Sequence, residues 1–119
     1  MSRFIDLDIK ISEKPSYDSG WFYAETGKVY TLSHNLKKEP KLIQVFVKSD
    51  GQNDGKSLTG DDIKIAGILS LFNGHFFGSV VENITNTDIT LRTGDSALWH
   101  GAVSYDHFST GFLRVLIWI

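Results

Sequence analysis

The chain has no cysteine, which excludes disulfide bonds, thiolate catalysis and cysteine-ligated metals together. It has no run approaching the ~20 apolar residues of a membrane span, so no membrane partner is expected. The first residues, Met1-Ser2-Arg3-Phe4-Ile5-Asp6-Leu7-Asp8, carry acids where a signal peptide needs an apolar core, which points to synthesis in a cytosol. Positive charge is also scarce. Twelve Lys and Arg stand against 14 Asp and Glu, a formal net charge of −2, and Lys37-Lys38 is the only basic pair. Without a basic stripe to track phosphates, nucleic acid is not expected as a partner. Enzyme signatures are missing too: no nucleophile elbow, no phosphate loop and no pair of acids that stands out for acid–base work. His75, His100 and His107 do not share a metal-ligand spacing. No catalytic activity and no cofactor are expected.

What is present is enough for one ordinary domain. At 119 residues, with 41% hydrophobic and 22% charged side chains, the chain can bury a core without covalent staples. Ile5, Leu7, Ile9 and Ile11 alternate with Asp6, Asp8, Lys10 and Ser12, the period of a half-buried strand, and Pro15 ends the run. A turn signal at Asp18-Ser19-Gly20 leads into Trp21-Phe22-Tyr23, and Val29 to Leu32 is a short β-prone run. Lys41 to Lys48 alternates as a strand, followed by a polar segment from Ser49 to Asp62. Ile63 to Phe72 fits either period; one strand is preferred, because a helix would carry Gly67 near its middle. Asn73 to Gly78 reads as a turn bearing His75, Phe76 and Phe77. Val80–Thr85 and Asp88–Thr93 read as a hairpin, and Ser104 to Gly111 as a loop.

The terminal stretch Thr110–Ile119 is apolar on both faces. Phe112, Arg114, Leu116 and Trp118 share one side; Leu113, Val115, Ile117 and Ile119 share the other. One face can line a core, while the other needs a second cover, so a central strand with subunit contacts on its outer side is expected. Roughly seven to nine short strands with regular turn signals make the fold class all-β, an antiparallel β-sandwich.

Several of these segments carry a resemblance. Asp18-Ser19-Gly20-Trp21, Pro40 ahead of the Lys41–Lys48 strand, the Ile84–Leu91 hairpin and the ending Ile117-Trp118-Ile119 resemble the H-type lectin domain of discoidins and snail agglutinins. Asp18 to Phe22, Tyr30 to Leu36 and Pro40 are closer still to domains of bacteriophage virion proteins, in tail fibres and head decorations. That likeness covers about Tyr17 to Ile119, leaving residues 1–14 as an N-terminal strand or arm of a single 1–119 domain. The chain is short and starts with its own strand, so a complete small protein is expected. The resemblance implies an H-type-lectin-like sandwich in a virion, made in a host cytoplasm. It implies a homotrimer with the C-terminal strands near the threefold axis, which places Phe112, Arg114, Leu116 and Trp118 at the interface. For the lectin members it also implies sugar binding between subunits. Trp99-His100 falls where those lectins carry a sugar-contacting Trp-His pair, and Arg92 and Tyr105 join them by the same logic.

Each candidate has a plain alternative. Trp99 and His100 form either a sugar platform or a core indole with a satisfied imidazole beside it. The loop around Tyr105 is a recognition loop or a packed connector with Tyr105 and Phe108 turned inward. His34 is expected to order the Tyr30–Pro40 segment. Asp50, Gln52 and Asp54 with Asp61 at the twelfth position nearly spell a calcium loop. A strand precedes them where that motif needs a helix, so a polar hairpin loop is preferred and no metal is expected. Two functions then compete: a lectin-like virion protein adhering to host surface glycans, or a cement protein that binds only other virion proteins.

Overall fold

The computed structural model describes residues 14–50, 63–67, 69–72, 74–100 and 107–119, which form two antiparallel sheets packed face to face as a β-sandwich. The alternating run at Ile5–Ile11, and Tyr105 with most of the polar segment after Asp50, lie outside the described residues. The first sheet is built around Thr110–Trp118 (β11). Leu42–Ser49 (β4) runs along one side of it, and Ile63–Ala66 (β5) pairs with the far side of β4. Tyr17–Asp18 (β1) and Phe22–Glu25 (β2) share the other side of β11. The second sheet runs Val29–Ser33 (β3), Asp88–Thr93 (β8), His75–Glu82 (β7), Leu69–Phe72 (β6). A ribbon of Trp99–His100 (β9) and His107–Phe108 (β10) completes the strands.

Having partners on both edges makes β11 a central strand, and its alternation decides what the core contains. Leu113, Val115 and Ile117 are fully buried, facing Ile89 and Leu91 of β8 together with Val45, Val47, Leu98 and Phe108. Each such side chain stabilises the fold by about 1.5–3 kcal/mol through burial.

Asp18-Ser19-Gly20-Trp21 is a β-bulge. Asp18 lies opposite Leu116 and Phe22 opposite Leu113, so three residues on the edge face two on β11. The local chain supplies replacements for the interrupted ladder. Ser19 N–H donates to the Val115 carbonyl at 2.9 Å, and Val115 N–H donates to Ser19 Oγ at 2.8 Å. Gly20 takes φ +68°, where a glycine avoids the Cβ penalty, and its N–H donates to Asp18 Oδ1 at 2.9 Å. Asp18 also receives Arg114 Nε at 2.9 Å and Nη2 at 2.5 Å, the acid partner that Arg114 requires on an apolar face.

This pairing gives a pH prediction. The Arg114 hydrogen bonds, helped by the Gly20 N–H, hold the Asp18 carboxyl at about 2, below its ordinary value. A depressed folded pKa contributes stability that is present above the unfolded value and is lost as pH falls through the folded one. Urea melts should therefore show an acid loss between about pH 4 and pH 2 that flattens in Asp18→Asn. At neutral pH the substitution should cost under about 1 kcal/mol, because the pair is solvent-exposed. An unchanged acid limb in the variant would assign the loss to other carboxylates.

Three segments differ from expectation. Ile63 to Phe72 is two strands, β5 and β6, because Gly67 turns the chain at φ +105°. His75 to Gly78 belongs to β7, and Gly74 at φ +79° makes the turn. Gly78, at φ +103°, sits where β7 changes its partner from β6 to β8. Within Ser104 to Gly111, His107–Phe108 is a strand and Thr110 already begins β11.

Candidate functional sites

The structure sorts the sequence candidates into four separate places. The first is the ribbon. Trp99 pairs with Phe108 and His100 with His107. The half-buried Trp99 indole stacks on Phe108 at 5.9 Å between centroids, and Lys64 Nζ lies 5.0 Å over the same ring. Phe108 is buried in the core, so the inward alternative holds for that residue. Two neighbours already engage the indole, leaving less of it to meet a ligand.

The second place is a groove of about 350 Å³ lined by Gly27, Leu69, Phe76, Arg92, Thr93, Gly94 and Asp95. Of the two sugar candidates whose side chains are described, Arg92 lines it and Trp99 does not. The groove forms where the β2–β3 turn docks on the end of β8: Gly27 N–H donates to the Gly94 carbonyl at 2.8 Å, and Thr93 Oγ1 donates to the Glu25 carbonyl at 2.7 Å. Asp95 Oδ1 accepts from Phe76 N–H and from Ser96 Oγ, each at 2.9 Å. Those donors hold its carboxyl below the usual range, the Phe76 N–H most strongly. Arg92 Nε donates to Glu82 Oε1 at 2.9 Å. Phe76 is 45% exposed at the rim.

The third place is the polar loop. Asp50 Oδ2 accepts from Thr110 Oγ1 at 2.8 Å, so this carboxylate helps to position the start of β11. Gln52, Asp54 and Asp61 lie outside the described residues. Among the described residues, no cluster of three or more His, Asp or Glu could hold a metal ion.

The fourth place is the outer face of the first sheet. Cross-strand register sets Tyr23, Phe112, Lys48 and Ile63 in one row, and Arg114, Phe46 and Ile65 in the next. Leu116 with Gln44 and Trp118 with Leu42 continue the surface. Phe112, Arg114, Leu116 and Trp118 are half-buried, while Ile65 is 71% exposed, Ile63 57% and Tyr23 50%. Trp21 lies over this face, with Lys48 Nζ 4.6 Å and the Arg114 guanidinium 6.0 Å from its ring. Sequence reasoning named only the β11 members. The alternation of Leu42 and Phe46, and of Ile63 and Ile65, carried the rest of the signal.

His34 is buried and structural. Its Nδ1 accepts from Leu36 N–H at 3.1 Å, so Nε2 carries the proton and donates to the Thr85 carbonyl at 3.0 Å. The ring thus ties the segment after β3 to the β7–β8 connection.

No protein-family model matches the chain, and no curated protein matches it. The functional reading therefore rests on these surfaces and on the sequence resemblance.

Proposed function

We propose that this chain is a non-enzymatic structural subunit of a bacteriophage virion, a trimeric, lectin-like decoration or fibre protein that works by self-association and attachment. The observation that carries the reading is the outer face of the first sheet. Tyr23, Ile63 and Ile65 are each half or more exposed on it, and rows of large side chains suit burial against another copy. The virion setting and the threefold symmetry come from the resemblance.

Adhesion to surface glycans is the second reading. The observation favouring it is the groove, which sets Arg92 and Asp95 beside the exposed Phe76 ring. Light scattering on the purified chain should give three times the monomer mass, and immunodetection should find the chain on density-purified particles. A monomer at micromolar concentration removes the assembly reading, and absence from particles removes the virion reading.

A further inference from the structure

We propose that the groove at the end of the second sheet is a binding site for a neutral saccharide, formed within one subunit by Phe76, Arg92 and Asp95 over a floor of Gly27 and Gly94. The assignment rests on the glycan-adhesion reading and moves its site away from Trp99. The volume of about 350 Å³ lies within the range of small-molecule sites.

Charge selects the ligand. Arg92 is balanced by Glu82 at 2.9 Å, and Asp95 is satisfied at one oxygen by the Phe76 N–H and the Ser96 hydroxyl. The lining thus carries one cation, already paired with Glu82, and one carboxylate, so it has no surplus positive charge to recruit an anion. It still presents fixed donors and acceptors, which a hydrocarbon ligand would leave unsatisfied on desolvation. A pyranose fits both constraints. Its hydroxyls can bridge guanidinium and carboxylate, and its C–H face can lie against the exposed Phe76 ring.

The site is also held in place before any ligand arrives. Ser96 N–H donates to the Phe76 carbonyl at 3.0 Å while Phe76 N–H donates to Asp95, clamping the aromatic rim to the turn in both directions. Gly94 N–H donates to the Gly78 carbonyl at 2.8 Å. A Cβ on Gly94 would fall 2.5 Å from the Phe76 carbonyl oxygen, so only glycine lets the turn press this close. Little ordering cost remains to oppose weak binding, and several copies in one assembly would raise avidity.

The test is an amide-shift titration of the full ¹⁵N-labelled chain. The probes are glucose, galactose, mannose, N-acetylglucosamine and N-acetylgalactosamine at millimolar concentrations, with N-acetylneuraminic acid as the anionic comparison. The expected result is a saturable shift with a neutral sugar at the Gly27, Phe76, Gly94 and Asp95 amides. Phe76→Ala and Arg92→Gln should each weaken binding roughly tenfold or more. Both side chains are exposed, and the remaining amide spectrum checks that each variant keeps the fold. Shifts centred on Trp99 and Phe108 would overturn this site and leave the glycan reading standing. No saturable shift with any sugar would overturn both. Preference for the anionic sugar would overturn the neutral assignment.

Discussion

Gly111→Ala is expected to destabilise the protein by about 3 kcal/mol or more, a large part of the ~5–15 kcal/mol that holds a domain folded. Gly111 lies between Ala24 of β2 and Ser49 of β4. An added Cβ would overlap the Lys48 carbonyl oxygen and come within 3.2 Å of its carbon and 3.3 Å of Ser49 Cα. All of these are backbone atoms of the partner strand, so no rotamer change relieves the clash. The strands must separate where β11 enters the sheet. Gly20→Ala is the useful comparison. Gly20 takes φ +68°, yet nothing lies within 4 Å of the new Cβ. Its penalty is conformational alone, roughly 1–2 kcal/mol. Urea denaturation of the two variants should place Gly111→Ala clearly below Gly20→Ala. The reverse order would mean that β11 and β4 do not approach as described.

The sandwich was legible because its strands obey a period of two. Residues 42–48 and 112–118 show it without ambiguity, and both became adjacent strands of the first sheet. In two of the three segments that differ from expectation, a glycine is responsible. Gly67 argues for a strand over a helix, but at φ +105° it also separates two strands. Gly74 and Gly78 together suggested a turn, but Gly78 lies inside β7 at its change of partner. Composition alone does not tell a turn glycine from a bulge glycine, since both supply the same positive φ. The bulge at residues 18–21 gives the opposite lesson. Its residues drew notice as a family-like motif, and their hydrogen bonds explain why Asp, Ser and Gly occur in that order.

The candidate sites were less legible than the fold. The lectin resemblance implies that Arg92 and Trp99, seven positions apart, share one cleft. Thr93 ends β8, however, and a parallel bridge between Ala97 and Phe77 carries the chain to the separate ribbon of β9 and β10. Arg92 instead meets Phe76 and Asp95 through the docking of the β2–β3 turn. That encounter depends on contacts between residues distant in sequence, which no local pattern records.

A double substitution of Tyr23→Lys and Ile65→Lys is expected to convert the assembled protein to monomers while leaving the fold of each chain intact. In a single chain both side chains already meet water, Ile65 at 71% exposure and Tyr23 at 50%, so two ammonium groups there cost the isolated fold little. Buried between copies, each ammonium would lose hydration that the side chain it replaces does not need, at about 3 kcal/mol or more per charge. Two such charges correspond to a weakening of association by roughly four orders of magnitude. Lys48 and Arg114 show how the native face carries charge without that penalty: Lys48 lies over the Trp21 ring, and Arg114 is paired with Asp18. Leu113→Lys is the contrasting variant, because Leu113 faces the fully buried side of β11 and should unfold the chain itself. Light scattering combined with thermal melts separates these outcomes. If the double variant keeps the wild-type mass, the outer face of the first sheet is not the association surface, and the two-faced apolar pattern of β11 needs another explanation.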